Sequence, residues 1–344
     1  MRISAAGRAF GAVLLATAMS GCTAAKLAVP TPAAPPRPVL TLVVEPQGGY
    51  QPIYDFISGA RTSLDMTMYQ LSDAKAQDAL KAAAKRGVKV RVLLDSDIQG
   101  GGNTAMNKAA YSDLSENGVE VKWAWSGTLW HQKSLTRDDT SAAIMTANLY
   151  APYYPIVRDF AVFTNNHATV AGMEATFDKD WQANSSPPTS GVVPSGSDLV
   201  WSPGAQAPLL DLIDSARPGT SIWAEDEQLD SQPIQQALVS AAKRGVMVNF
   251  LMTYDSHWAR GLAALSQGGV HVRVYQPNAS IYIHAKALTV NDDTAYVGSA
   301  NLTTAMTDQN RNVGTITKDP GVVRGIRSTI ASDFAGAAPL ASGH

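Results

Sequence analysis

The sequence predicts an α/β protein built from two tandem copies of one unit, about residues 41–183 and 198–337. Two observations lead to this prediction: a helix-to-strand segment occurs in each half, and polar residues recur between the halves at one constant spacing. A third observation is the 45% hydrophobic composition of the 344-residue chain, which is enough for two globular domains with their own cores.

Residues 1–21 have the pattern of a signal peptide. Two arginines precede the apolar run Phe10–Met19, which is about half as long as a membrane span. Cys22 then follows Met-Ser-Gly, which is similar to the lipobox of bacterial lipoproteins, where the cysteine is lipidated. Because Cys22 is the only cysteine in the chain, we expect an exported protein anchored to a bacterial envelope membrane through this residue. Ordinary signal cleavage, with a secreted or periplasmic product, is the alternative.

The segments outside the two units predict a tether and a linker. Residues 22–40 are rich in Ala and Pro and are typical of an extended tether. Residues 184–197 are rich in Ser, Pro and Gly and are predicted to join the units. Removing residues 1–21 takes away two of 27 basic side chains and none of 29 acidic ones, so the net charge falls from −2 to −4. This balance disfavours nucleic acid as a partner but leaves a local basic groove open.

Each half contains a helix that is followed by a strand. Residues 79–97 and 237–255 both begin with an Ala-rich amphipathic segment that ends at Lys-Arg-Gly, a typical end of a helix. The β-branched runs that come next predict buried strands at Val88–Leu94 and Val246–Leu251. Two further strands are predicted upstream of these helices, at Leu64–Tyr69 and Ser221–Glu225.

A constant offset relates polar residues of the two halves. The offset of 153 residues relates four pairs: His131 with His284, Asn148 with Asn301, Arg158 with Arg311, and Asp180 with Asp333. Gly87 and Gly245 are related by 158 instead, so the first half carries five extra residues before its histidine. We place these residues near the glycine-rich loop at 100–102.

The repeated stretches HQKSLTRD (131–138) and HAKALTVN (284–291) predict the chemistry. His and Lys two positions apart on a strand, such as Ile281–Val290, point to the same side. Two such copies would form one site with two His, two Lys and two Asn, which suits a phosphodiester. The Lys and Asn side chains would stabilise charge on phosphate oxygens, while one His attacks phosphorus and the other protonates the leaving alkoxide. Because the lysines would repel a cation, we expect neither a metal nor another cofactor.

The paired motif resembles that of the phospholipase D superfamily. The residues that carry the resemblance are His131, Lys133, Asp138, Asn148, His284, Lys286, Asn291, Ser299 and Asn301. The resemblance covers nearly all of the chain after the tether. It implies two α/β/α sandwich lobes related by a pseudo-two-fold axis, an active site at their interface, a covalent phosphohistidine intermediate and no metal.

Two departures from the family pattern concern supporting residues. Asn291 stands where the family has the motif Asp, whose implied role is to support the motif strand. Either Asn291, through similar hydrogen bonds, or its neighbour Asp292 can fill this role. Thr146 of the first copy replaces Ser299 of the second and still supplies a hydroxyl group.

A third departure concerns the residues that orient the histidines. Asp159 matches a family carboxylate that holds the His of the opposite half, which implies a contact with His284. Asn312 is its counterpart in the second copy and would then hold His131. The resemblance also implies that His131 is the nucleophile. A carboxylate stabilises imidazolium and an amide only orients the ring, so the asymmetry bears on which histidine attacks.

Three residues are predicted to form the pocket. Residues 225–227 match residues 68–70 at strand ends, so we expect Glu225 and Tyr69 to line the site; a solvated acidic loop is the alternative. Trp130 next to His131 would form an apolar wall for a lipid, with a position in the core as the alternative.

These observations together predict a phospholipase D-type phosphodiesterase that hydrolyses phospholipid headgroup bonds at a membrane surface. A metal-independent endonuclease of the same superfamily is an alternative. A phosphatidyl transferase, as in cardiolipin synthesis, is another, disfavoured because no membrane-spanning segment follows the signal. A degenerate lipoprotein without activity is a fourth. Since one chain holds both half-sites, we expect a monomer.

Overall fold

The computed structural model describes residues 39–96, 104–183 and 185–341, which belong to one compact unit. The predicted signal peptide, Cys22 and most of the predicted tether lie outside these residues. The first strand begins at Leu40, so the last residue of the predicted tether already belongs to the fold. Within the described ranges, no helix has both the length and the apolar character needed to cross a bilayer.

The first lobe is a mixed sheet with helices on both faces. Its elements are β1 (Leu40–Glu45), α1 (Gln51–Ser58), β2 (Ser63–Met68), α2 (Ala74–Lys85), β3 (Lys89–Leu94), α3 (Thr104–Glu116), β4 (Glu120–Trp123), β5 (Lys133–Arg137), β6 (Ser141–Met145), β7 (Val157–Thr164) and α4 (His167–Gln182). A 3-10 turn lies at Ala151–Tyr153. The strand order is β1-β7-β6-β5-β2-β3-β4, in which β2, β3 and β4 run parallel and the other neighbours antiparallel.

The second lobe repeats this arrangement with small additions. Its elements are β8 (Leu199–Ser202), α5 (Gln206–Asp214), β9 (Ser221–Glu225), α6 (Gln232–Lys243), β10 (Met247–Thr253), α7 (Ala259–Gln267), β11 (His271–Tyr275), β12 (Tyr282–Ile283), β13 (Ala287–Val290), β14 (Thr294–Gly298), α8 (Thr304–Asp308), β15 (Asn312–Thr317), α9 (Pro320–Gly336) and β16 (Ala338–Pro339). The strand order is β16-β11-β10-β9-β13-β14-β15-β8. The predicted pair of α/β units is therefore confirmed.

Matched local signals begin and end the repeated helices. The side chain of Asp73 caps the first backbone N–H groups of α2, and Ser231 caps α6 in the same way. Just after these helices the chain turns at Gly87 and Gly245, whose φ angles are +90° and +87°. A residue with a Cβ atom rarely adopts this conformation, so the repeated Lys-Arg-Gly is a true helix end.

The last helix of each lobe packs against both sheets. On α9, Ile326 and Ile330 share one core cluster with Phe160 of β7 in the first lobe and Val297 of β14 in the second. The reciprocal cluster beneath α4 also draws on both lobes and consists of Ala142, Ile144, Val170, Met173, Leu199, Trp201 and Val313. The lobes are therefore joined by a shared apolar core, whose burial is favourable in proportion to its area.

Reciprocal polar contacts also join the lobes. Nε of Arg158 lies 2.5 Å from Asp333, and Nη2 of Arg311 lies 2.6 Å from Asp180, so each arginine pairs with the opposite lobe. All four side chains are buried. The offset of 153 that relates these residues in sequence is therefore a pseudo-two-fold relation in space, as the fold prediction requires.

The chain crosses between the lobes at each His-x-Lys motif. In the second lobe, β12 pairs with β7 of the first lobe, and β13 then pairs with β9 of its own lobe. The single predicted strand at 281–290 is therefore wrong, because residues 284–286 lie at the change from one sheet to the other. In the first lobe, Trp130 bridges to Arg311 and β5 begins at Lys133.

Candidate active site

The two motif histidines meet in one cavity of about 630 Å³. His131 and His284 both line it, although only 5% and 7% of their surfaces are exposed. Since each crossing segment carries its histidine to the contact between the lobes, the repeat places the two rings in one site. The predicted location of the site at the lobe interface agrees with this geometry.

A backbone carbonyl fixes the ring of His131. Its Nδ1–H donates to the carbonyl oxygen of Ser299, 2.9 Å away in the other lobe. The edge of Tyr69 packs on the same ring, with centroids 4.6 Å apart. Burial and the nearby Lys133 and Lys286 hold the pKa of His131 well below its usual value. The ring is therefore neutral at pH 7, with the lone pair on Nε2.

A carboxylate fixes the ring of His284. Its Nδ1–H donates to both oxygens of Asp159, at 2.8 and 3.0 Å, across the lobe interface. The hydroxyl group of Thr146 donates to the same carboxylate at 2.5 Å. The predicted contact between Asp159 and His284 is confirmed. A carboxylate at Nδ1 stabilises the imidazolium form and fixes which nitrogen faces the cavity.

The predicted contact between Asn312 and His131 is wrong. The carbonyl oxygen of Asn312 accepts from the Ser299 hydroxyl at 2.9 Å, and its amide donates to the backbone of Met306 at 2.8 Å. Both polar atoms of the Asn312 side chain are therefore bonded within its own lobe, and the Ser299 carbonyl lies beside Nδ1 of His131 instead. Asn312 acts on His131 only through Ser299.

The two lysines differ in their counter-groups. Nζ of Lys133 donates to the carbonyl of His131 at 2.6 Å and lies 4.7 Å from the centre of the Tyr69 ring. Nζ of Lys286 forms an ion pair with Glu227 at 3.1 Å and also donates to the carbonyl of His284. Both lysines are completely buried. Burial and the charge of Lys286 hold the pKa of Lys133 well below its usual value.

Glu227 is the site residue that sequence reasoning missed. Its carboxylate accepts from the hydroxyl of Tyr282 at 3.0 Å and lies 3.8 Å from Nε2 of His284. Burial alone would raise the pKa of Glu227, but Lys286 and the two histidines hold it well below its usual value. The carboxylate is therefore ionised. The sequence did contain a signal for Glu227. The offset of 158 that relates Gly87 to Gly245 also aligns Tyr69 with Glu227.

The prediction that Glu225 lines the pocket is wrong, whereas Tyr69 does line it. Side chains alternate along β9, so Glu225 lies on the same face as Trp223, which packs against α9. Glu225 is completely buried, and neither of its carboxylate oxygens has a hydrogen-bond partner in the described part of the chain. Burial and the nearby Asp333 raise its pKa well above the usual value.

The two repeated asparagines take different positions. Asn148 lines the cavity, and its side-chain oxygen has no hydrogen-bond partner among the described residues. Asn301 is completely buried and does not line the cavity, and both of its polar side-chain atoms lack described partners. Asn148 is therefore placed to meet a ligand directly, whereas Asn301 lies behind the lining residues.

The ends of the two motifs lie at hairpin turns, where they hold the helix-to-strand loops. Asp138 accepts from the backbone N–H groups of residues 61–63, and Asn291 accepts from the backbone of Arg217 and the hydroxyl of Thr220. The prediction that Asn291 makes hydrogen bonds similar to those of the aspartate is confirmed. Asp292 instead pairs with Arg327 at 2.6 Å.

Trp130 belongs to the core and not to the pocket. It packs with Leu93, Ala124 and Phe177, and only 1% of its surface is exposed. Its backbone bridges to Arg311 in the opposite lobe, while its side chain packs into the first lobe. Within the described ranges, no group of three or more His, Cys, Asp or Glu side chains is arranged to hold a metal ion.

Comparison with known proteins agrees with this geometry. A family model described as "Cardiolipin synthase, PLD-like domain" matches residues 53–181 and 209–334, one segment in each lobe. Cardiolipin synthase A of Pseudomonas aeruginosa is 24% identical over an alignment of 337 positions that covers 86% of this chain and 66% of the relative. Probable cardiolipin synthase YwiE of Bacillus subtilis is 28% identical over 130 residues, 38% of this chain. The chain spans 66% and 26% of the lengths of these two relatives.

Two solved structures share the fold at low identity. Phosphatidylserine synthase of Haemophilus influenzae aligns with a TM-score of 0.68 at 11% identity, over 88% of this chain and 87% of that one. Polyphosphate kinase of Porphyromonas gingivalis aligns with a TM-score of 0.63 at 15% identity, over 85% of this chain and 50% of that one. These likenesses concern the two-lobed architecture alone.

Proposed function

We propose a function from one premise: the chain belongs to the family of phospholipase D-like domains that the cardiolipin synthase model describes. The proposal is that it transfers a phosphatidyl group from one phospholipid to an alcohol through a phosphohistidine, with water as a competing acceptor. The observation that carries it is the pair of histidines in one cavity, each held at Nδ1 with Nε2 left for substrate.

His131 is the nucleophile in this proposal. Its neutral ring, held at Nδ1–H by Ser299, presents the Nε2 lone pair to phosphorus. As the nitrogen–phosphorus bond forms, the bond from phosphorus to the headgroup oxygen breaks. The phosphatidyl group stays on His131 until an acceptor arrives.

His284 moves the proton in both steps. Backed by Asp159, its imidazolium form donates the proton on Nε2 to the departing alkoxide, and the ring becomes neutral. The neutral ring then takes a proton from the incoming alcohol, whose oxygen displaces His131 from phosphorus. The second step is the reverse of the first, so charges and protons balance over the cycle.

The remaining polar groups stabilise charge on the phosphate. Lys133 and Lys286 each place a side-chain nitrogen at the backbone carbonyl of a motif histidine, and Asn148 lines the cavity. In a site with little water, such fixed donors stabilise the extra negative charge of the transition state more strongly than water would.

The lining of the cavity supports a lipid over nucleic acid. Among the described residues that line it, none is Lys or Arg, and apolar or aromatic side chains are frequent. A nucleic-acid groove needs basic side chains along the backbone path. The names of the relatives, which are cardiolipin synthases, support transfer to an alcohol over simple hydrolysis. We retain hydrolysis as the side reaction with water.

A vesicle assay tests the proposal. Phosphatidylglycerol vesicles are incubated with the protein and EDTA, and cardiolipin and phosphatidic acid are measured by mass spectrometry. We expect cardiolipin to form, and the His131→Ala and His284→Ala variants to lose both products. His167→Ala is the matched control, because His167 is exposed on α4. Full activity in either active-site variant, or nicking of plasmid DNA without lipid products, would show that the proposal is wrong.

The membrane location is a separate proposal. Lipidation at Cys22 would keep the site near its lipid substrate, with the Ala- and Pro-rich segment as the tether. Cys22→Ser should move the full chain from the membrane fraction to the soluble fraction. An unchanged distribution would argue for secretion without an anchor.

A further inference from the structure

The repeat creates two equivalent flanks on either side of the catalytic cavity. The offset of 153 relates residues 150–157 to 303–310 and residues 277–282 to 124–129. We call the flank formed by 150–157 and 277–282 the apolar wing. The flank formed by 303–310 and 126–129 is called the polar wing. Because the wings are related by pseudo-symmetry, differences between them show how the site departs from two-fold symmetry.

The apolar wing has no charged residue. Tyr153, Ile156 and Val157 line the cavity there, together with Tyr282 from the opposite lobe. Tyr153 and Ile156 are 49% and 45% exposed, two of the few large apolar side chains in the described ranges that face solvent to this degree. This surface suits the glycerol backbone and first methylene groups of a diacyl lipid.

The polar wing carries amides at the matching positions. Gln309 stands in place of Ile156, and Asn310 in place of Val157. The Asn310 side-chain oxygen accepts from the hydroxyl of Thr128 at 2.9 Å and from the backbone of Leu129 at 3.2 Å. These contacts hold the segment before His131 in place.

The polar wing also encloses a second cavity, of about 330 Å³. Gln309, Asn310, Thr128 and Thr303 line it. Four residues line both this cavity and the catalytic one, and they are Leu129, Gln228, Trp258 and Met306. The two cavities are therefore neighbours with a shared wall.

We propose that the polar wing is the subsite for the alcohol, both the headgroup that leaves and the acceptor that enters, and that it takes an uncharged, hydroxyl-bearing group. The proposal rests on the proposed function. Amide and hydroxyl side chains both donate and accept, as the hydroxyl groups of such an alcohol require. Asp230 also lines this cavity, where its carboxylate accepts from the backbone N–H of Thr304 at 2.8 Å, so cationic alcohols are included as competitors in the test below.

The two-step chemistry explains why one subsite serves two alcohols. The second step is the reverse of the first, so the incoming oxygen must reach phosphorus from the place the leaving oxygen vacated. The phosphatidyl group meanwhile stays on His131, with its acyl chains along the apolar wing. A transferase that binds the lipid along the apolar wing and the alcohol along the polar wing would favour alcohol over water, because the alcohol is bound before it reacts.

A partition experiment tests this assignment. The donor is a phosphatidyl ester of 4-nitrophenol in detergent micelles, whose nitrophenolate release reports the first step without a natural headgroup. Glycerol is the added acceptor, and the ratio of phosphatidylglycerol to phosphatidic acid reports the second step. We expect Gln309→Ile and Gln228→Leu each to lower this ratio about tenfold, the effect of one lost hydrogen bond. Gln267→Ile, the same type of change at an exposed position at the end of α7 that lines neither cavity, should leave the ratio as in the wild type.

The outcomes separate the two proposals. Absence of nitrophenolate release from the wild type would overturn the proposed function itself. Normal release with an unchanged ratio in both glutamine variants would overturn only the subsite. An equal fall of the ratio in Gln267→Ile would also overturn it, because the effect would then not depend on the polar wing. Choline or ethanolamine out-competing glycerol at equal concentration would show that the subsite selects a cation.

Discussion

Neutralising Glu227 should strengthen the binding of the anionic substrate. In the free site its carboxylate lies 3.1 Å from Nζ of Lys286 and 3.8 Å from Nε2 of His284, and a phosphate oxygen needs both groups. Glu227 thus occupies part of the place of the substrate anion. Two like unit charges about 5 Å apart, at an effective dielectric constant of about 20, repel by about 3 kcal/mol. Rotation of the carboxylate toward Tyr282 would relieve part of this repulsion. We therefore expect Glu227→Gln to strengthen the binding of the substrate by about 1–3 kcal/mol.

The expected gain in binding free energy corresponds to roughly a tenfold to hundredfold lower KM for the phosphatidyl donor. The inhibition constant of inorganic phosphate should fall by the same factor. The value of kcat should change little, since Glu227 is not assigned a proton or a bond. Glu116→Gln, an exposed change with the same loss of charge, is the control. A higher KM, or a loss of kcat as large as in His284→Ala, would refute the reasoning and make Glu227 a catalytic residue.

Three further predictions concern the support of the site and the fold. Asp159→Asn should lower kcat by roughly 10²–10⁴-fold in the vesicle assay because the amide cannot stabilise imidazolium; a similar loss in the exposed-site control Asp211→Asn would contradict this. Arg158→Met should cost about 3–5 kcal/mol in urea unfolding by leaving the Asp333 charge buried, and adding Asp333→Leu should restore most of it. Burial raises the pKa of Glu45 from 4.5 to about 7, so the folded protein favours the protonated carboxyl. The stability associated with this proton is full below about pH 4.5 and is lost as the pH rises through 7. Glu45→Gln should therefore increase the free energy of unfolding at pH 8 by up to about 3 kcal/mol and change it little at pH 4; an equal effect at both pH values would contradict the assignment.

The repeat was predictable because its signals are local. A helix that ends at Lys-Arg-Gly and continues into a β-branched run is read from neighbouring residues, and Gly87 and Gly245 indeed take left-handed conformations. The supporting role of Asn291 was also accessible, since an asparagine at a hairpin turn can accept the same backbone hydrogen bonds as an aspartate. The spacing of His131 and His284 then predicted a two-fold site before any contact was known.

The errors arose where the register or the path between lobes decided the outcome. The alignment of residues 225–227 with 68–70 was wrong by one position, so it set Asp226 instead of Glu227 against Tyr69. The choice of Glu225 failed for a different reason: it is the last residue of β9 and shares the face of Trp223, whereas Glu227 lies beyond the end of the strand and lines the cavity. The broken strand at 284–286 could not be read from apolar periodicity, because its first part pairs with the opposite lobe.

The sequence by itself determined the architecture, the two catalytic motifs and the class of chemistry, since these depend on local patterns and on one offset between repeats. Only the tertiary structure decided how the two copies differ. It paired His284 with Asp159 and His131 with the carbonyl of Ser299, and it brought Glu227 into the cavity as the partner of Lys286. The physical reason is that each of these contacts joins residues far apart in sequence, and most cross the interface between the lobes. Their partners are therefore set by packing and not by the composition of either copy.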